Sequence, residues 1–206
     1  MVKVIYLSST ENGKKLYEWL KRQDCEIVLA ETDNNKVTSF PDYDIGIGFL
    51  YTHKIPPSEF TTPFKWVNFH PGPLPFYRGR NLGYHAIINE EKEFGATIHY
   101  MDEKFDTGEI IETIHFPIEN SFTAKDIIES SHEKLENLFI KHIPLILKGK
   151  VASIKQKKGN YYKNEKLDEF IYLTKKQEKQ IKALTFHPKF HAKIKINEKI
   201  YKIVPD

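Results

Sequence analysis

Runs of β-branched and aromatic residues alternate with helix-period segments over the first 150 residues, and that alternation confines the chain to the α/β class. Residues 2–7 (VKVIYL) read as a strand; Leu16, Trp19 and Leu20 then recur at helical spacing behind a Ser-Ser-Thr turn. Further strands are expected over 25–30, 44–50 and 65–69, the last ended by Pro71, Pro73 and Pro75, which lack the N–H a ladder needs. A helix over 82–91 would place Tyr84, Ile87 and Ile88 on one face, and strands over 95–100 and 110–116 follow. The longest helix spans 121–148, with Thr123 as N-cap, Asp126 three residues on and Gly149 at its end. Its inner stripe is Ile127, Ile128, Ser131, Leu135, Leu138, Phe139, His142 and Ile146.

These elements predict a mostly parallel, Rossmann-like sheet flanked by helices. Only the polar stretch 32–41 joins the second and third strands, short for a helical crossover; against the family that the motifs below resemble, the N-terminal half of the sheet would be shortened. Beyond Gly149 lysines dominate. We therefore expect a domain over 1–150 and a C-terminal extension over 151–206, ending in a β-hairpin within 192–204 around Asn197 and Glu198.

Thirty-one Lys and Arg against 28 Asp and Glu give a net charge of +3, too balanced for non-specific nucleic-acid binding. The lysines between 148 and 182 are interleaved with acidic residues and read as a solvated face. Cys25, the single cysteine, excludes an internal disulfide and a thiolate-rich metal site, and suits a reducing compartment. No apolar run approaches a membrane span and the first residues lack a secretory pattern, so a cytoplasmic setting is expected.

Chemistry concentrates in two segments. In 67–75 (VNFHPGPLP), Asn68 and His70 lie two apart on a strand, hence on one face at its carboxyl end, where open α/β sheets bind ligands. A carboxamide donor beside an imidazole can hold a developing oxyanion and move a proton. Taken singly, such a pair is more often a turn cap and a satisfied strand-end histidine. The second segment, 101–109 (MDEKFDTGE), is a carboxylate-rich turn between two strands, able to supply an acid that orients His70.

Together, NFHPGPLPFYRGRN over 68–81 and HYMDEKFDTGEII over 99–111 resemble the 10-formyltetrahydrofolate-dependent formyltransferases. That family has an Asn-x-His pair at a strand end, an HP-x-x-LP-x-x-x-G continuation and an Asp in a D-[ST]-G loop. The resemblance implies an enzyme whose catalytic residues are Asn68, His70 and Asp106. The formyl group would pass from 10-formyltetrahydrofolate, a cosubstrate, to a primary amine, with no metal. Asn68 and protonated His70 would stabilise the oxyanion while Asp106 relays the amine proton. It further implies folate contacts from Phe49, Leu50, Tyr51, Met101, Asp102 and Phe105.

The YTHKIP run at 51–56, the YRGRN run at 77–81 and the tail IKALTFHP resemble the nucleotide-sugar N-formyltransferases. Substrate contacts would then come from Tyr77, Arg78, Arg80 and Asn81, with Tyr77 or Phe186 stacking on the base. The implied acceptor is a dTDP-linked amino-dideoxy sugar, the implied pathway lipopolysaccharide O-antigen biosynthesis, and the implied assembly a homodimer through the C-terminal hairpin. About 56 residues after Gly149 leave little room for the tRNA-binding domain of methionyl-tRNA formyltransferases. Glu11, in the loop after the first strand, would oppose the phosphate of glycinamide ribonucleotide. That acceptor stays as an alternative, and so does a shortened, non-catalytic homologue that binds folate or nucleotide sugar. His187, His191 and Cys25 receive no role.

Overall fold

The computed structural model describes residues 1–60, 65–164, 174, 175, 177, 193–196 and 198–203. The chain opens with β1 (Val2–Ser8), α1 (Glu11–Leu20), β2 (Cys25–Glu31), β3 (Ile45–Phe49) and β4 (Trp66–His70). It continues through β5 (Arg78–Gly79), α2 (Leu82–Ile88), β6 (Glu93–Tyr100), β7 (Ile110–Pro117), α3 (Ala124–Ile146) and β8 (Tyr161–Tyr162). Six strands form one sheet in the order β2-β1-β3-β4-β6-β7. The first four pair in parallel and β6 and β7 run antiparallel to their neighbours. This is the mostly parallel α/β sheet expected. Residues 32–44 join β2 to β3 without a helix, which leaves β2 as an edge strand.

Strand periodicity sorts residues between two faces. Val4, Tyr6, Val67, Phe69, Ala96 and Ile98 bury against Leu135, Leu138, Phe139 and Ile143 of α3. Ile5, Leu7 and Trp66 point the other way and pack with Tyr43 and Ile55. Asn68 and His70 continue the Trp66 face to the carboxyl end of β4, so the side chains with chemistry emerge opposite α3.

Helix α3 begins with a reciprocal capping box, Thr123 accepting from the Asp126 N–H and the Asp126 carboxylate accepting from Thr123. It closes at Gly149, whose φ of +64° lies in the left-handed region. Seven of the eight stripe residues are buried and Ile128 is half-buried. Helix α2 is inverted relative to its periodicity: Leu82, Gly83 and Ala86 face inward, while Tyr84, Ile87 and Ile88 are exposed. The small residues make this possible, because a Cβ on Gly83 would lie 2.4 Å from the Ala124 carbonyl oxygen at the start of α3.

Two compact units emerge, Met1–Asn164 and Glu165–Asp206. Residues 151–164 go with the first unit, beyond the expected boundary at 150, because β8 pairs in parallel with β5 and Ile154 bridges Ile110. The second unit contains the antiparallel hairpin of β9 (Lys193–Ile196) and β10 (Lys199–Lys202), in the expected place. Ala192, Asn197, Val204, Phe186, His187 and His191 lie outside the described residues. Among the described residues, no helix is long and apolar enough to cross a membrane.

Candidate active site

Antiparallel register does what spacing alone does not: it sets Asn68 opposite His99 and His70 opposite Thr97 on one face of β4 and β6. The Asn68 amide nitrogen is 3.1 Å from His99 Nε2, and an amide NH₂ only donates, so Nε2 is the acceptor. His99 Nδ1–H in turn donates to the Tyr100 carbonyl at 2.6 Å. Both contacts select the neutral ring. Burial lowers the His99 pKa to about 4, against the opposing pull of Asp106. His99 thereby orients the Asn68 carboxamide, leaving its second N–H for another acceptor.

His70 Nε2–H donates to the Tyr77 carbonyl at 2.6 Å, which turns Nδ1 toward Asp106 Oδ1 at 3.5 Å. Behind the ring, the Thr97 hydroxyl donates to the Gly72 carbonyl and accepts from the Leu74 N–H, tying the proline-rich loop to β6. Asp106 sits at a φ of +55°, unusual for a residue with a side chain, and its Oδ2 accepts from the Gly79 N–H at 2.9 Å. Gly79 is itself at φ +96°, and a Cβ there would lie 2.0 Å from the Tyr162 carbonyl oxygen. Only glycine brings that N–H to the carboxylate. Burial alone would raise the Asp106 pKa; His70, His99, the Gly79 N–H and Arg78 outweigh it and hold the carboxyl below its ordinary range.

Asn68, His70, His99 and Asp106 line one cavity of about 550 Å³. Of the residues expected on sequence, Leu50, Tyr51, Met101, Asp102, Phe105 and Arg80 line it as well. Others do not reach it. Phe49 is fully buried against Phe69 and Phe139, because it falls on the α3 face of its strand. Tyr77 is buried between Phe94 and Tyr162 with its hydroxyl on Glu91, and contributes only its carbonyl. Arg78 turns to Gln156, and Asn81 is the left-handed N-cap residue of α2. Sequence reading overlooked His99, whose one trace is the polar alternation Thr97-x-His99 inside an apolar strand. It also overlooked His132, half-buried on α3 at the cavity wall, its pKa lowered by burial.

Residues 41–143, half of the chain, match the Formyl transferase family. The chain belongs to that family. This formyltransferase-family chain is 42% identical over 90 residues to the methionyl-tRNA formyltransferase of Halalkalibacterium halodurans, an alignment covering 44% of the chain and 28% of that protein. It is 34% identical over 113 residues to the GDP-perosamine N-formyltransferase of Brucella melitensis, covering 53% and 44% respectively. The chain thus spans less than half the length of these curated relatives. In structure it superposes on the formyltransferase PseJ of Anoxybacillus kamchatkensis with a TM-score of 0.67 and 25% identity, covering 90% of this chain and 93% of that one. The PseJ structure holds UDP-4,6-dideoxy-4-formamido-L-AltNAc and tetrahydrofolate.

Proposed function

We propose that this formyltransferase-family chain is an enzyme that moves a formyl group from 10-formyltetrahydrofolate to the amine of a nucleotide-linked amino-dideoxy sugar. The observation that carries this reading is the convergence of Asn68, His70 and Asp106 on one face of a cavity. Half-buried and buried apolar side chains at Leu50, Ile55, Phe60 and Met101 suit a flat heteroaromatic ring, and folate supplies the formyl carbon. The free N–H of Asn68 donates to the formyl oxygen as the amine attacks and charge builds there, with the His70 ring beside it. The His70–Asp106 pair takes the proton the amine releases and returns it to the departing nitrogen.

Arg80, whose Nη2 donates to the Thr52 carbonyl, meets the diphosphate. Tyr161, exposed at the cavity wall, takes the base-stacking role for which Tyr77 is too buried. The names of PseJ and of the Brucella protein favour a nucleotide sugar, with dTDP the nucleotide indicated by the sequence resemblance. Dimerisation through the C-terminal hairpin, action in the cytoplasm and a place in O-antigen biosynthesis complete the proposal.

Mass spectrometry decides it: the protein is incubated with 10-formyltetrahydrofolate and dTDP-, GDP- and UDP-linked amino sugars, glycinamide ribonucleotide and methionyl-tRNA. Gain of one formyl on a nucleotide sugar is the expected result. Gain on the ribonucleotide or the tRNA alone overturns the acceptor, and tight folate binding without transfer overturns catalysis.

A further inference from the structure

Residues 151–164, a polar stretch in sequence, return across both loops that carry the site. Ile154 exchanges backbone hydrogen bonds with Ile110 at 2.8 and 2.9 Å, and the Ser153 hydroxyl donates to Glu109 at 2.7 Å. The Arg78 N–H donates to the Asn160 carbonyl and the Arg80 N–H to that of Tyr162. At Gly159 the strap presses so near the proline-rich loop that a Cβ would lie 1.9 Å from the Pro75 carbonyl oxygen.

One side chain joins the two loops. Gln156 Oε1 accepts from Arg78 Nη2 at 2.7 Å and Nε at 3.2 Å, and its Nε2 donates to the carbonyls of Asp106 at 3.0 Å and Gly108 at 2.7 Å. All four contacts are polar and directional. Asp106 holds its left-handed backbone with the Gly79 N–H on its carboxylate and Gln156 on its carbonyl. A non-glycine residue in that conformation persists only where its surroundings over-determine it.

We propose that Gln156 is a positioning residue for formyl transfer: its carboxamide locks the Asp106 turn against the Arg78–Gly79 strand so that the carboxylate stays within reach of His70. The role rests on the formyl-transfer reading, but its geometry can be tested without turnover. Gln156→Glu is nearly isosteric and keeps an acceptor for Arg78. It loses both N–H donors to the turn and adds a negative charge near Asp106.

We expect kcat to fall about 10- to 100-fold with both KM values within about threefold, the signature of misplacement rather than lost binding. Carboxyl ¹³C NMR of the full chain follows Asp106 directly; its titration should move to higher pH in Gln156→Glu, and to a smaller degree in Gln156→Ala. Wild-type Asp106 titration in both variants overturns the proposal, as does a lower melting temperature with unchanged kcat per folded molecule. Should the wild-type protein formylate no amine, the function reading falls while the Asp106 titration still decides the positioning role.

Discussion

Two histidine–carboxylate pairs lie on opposite faces of the same sheet, and they differ in what their surroundings leave open. On the α3 face, His142 Nε2 is 2.6 Å from Glu112, which also accepts from Lys141 at 2.6 and 2.8 Å. Burial alone would raise the Glu112 pKa, but the hydrogen bonds from Lys141 and His142, with the Lys141 charge, lower it. His142 Nδ1 is buried without a partner among the described residues, and the pair does not line the cavity that holds Asn68 and His70. On the other face, His70 and Asp106 are farther apart, at 3.5 Å, yet they share their cavity with Asn68 and His99. The tighter pair is the closed one. A short contact does not by itself mark a site; chemistry needs hydrogen-bonding capacity left over and aimed at a space where a reactant fits.

The sharpest way to break the contrast is to remove donors on the cavity face. Asn68→Ala and His70→Ala should each lower kcat about a thousandfold with folate affinity retained, because the lost interactions form in the transition state. Wild-type-like single-turnover rates in either variant would falsify the catalytic reading. Next, His99→Phe keeps the volume but frees the Asn68 carboxamide, and should cost about 10- to 100-fold in kcat.

The same variant tests a stability effect. The His99 pKa is about 4 folded against 6.5 unfolded, so between those values the unfolded chain binds more protons and stability falls as pH drops. Melting temperatures across this window should fall less steeply in His99→Phe than in the wild type. An unchanged slope would mean that His99 charges freely in the folded protein.

A smaller effect is expected at the cavity edge: Arg80→Ala should raise the nucleotide-sugar KM about tenfold and leave kcat within about twofold. Equal losses in kcat would place Arg80 in the reaction instead. Smallest of all in rate is Glu112→Gln on the closed face, with turnover unchanged and about 1 kcal/mol of stability lost above the carboxylate range. Because the folded Glu112 pKa is below its ordinary 4.5, that contribution is present above 4.5 and disappears as pH falls through the folded value. Chemical denaturation at two pH values checks it, and a turnover loss would show that the two faces are coupled.

Much of this arrangement is legible in one dimension. Asn68 and His70 share a face because strands alternate, and Thr123, Asp126 and Gly149 delimit α3 by local hydrogen-bonding rules. Helix α2 misleads for an equally physical reason: its largest apolar residues mark a face, but close packing onto α3 selects the smallest ones, Gly83 and Ala86. Phe49 misleads too: it ends β3 fully buried against Phe69 and Phe139, while Leu50, one position on, lies beyond the strand at a φ of +54° and lines the cavity.

What the chain determined by itself is therefore local: the strand and helix periods, the Asn-x-His pair, and the turn that carries Asp106. Tertiary structure alone decided that His99 meets Asn68 across an antiparallel register and that Gln156, fifty residues after Asp106, returns to grip its carbonyl. Periodicity reports only neighbours within a turn or a pleat, whereas these contacts depend on where whole strands and loops come to rest, and no short window of residues carries that information.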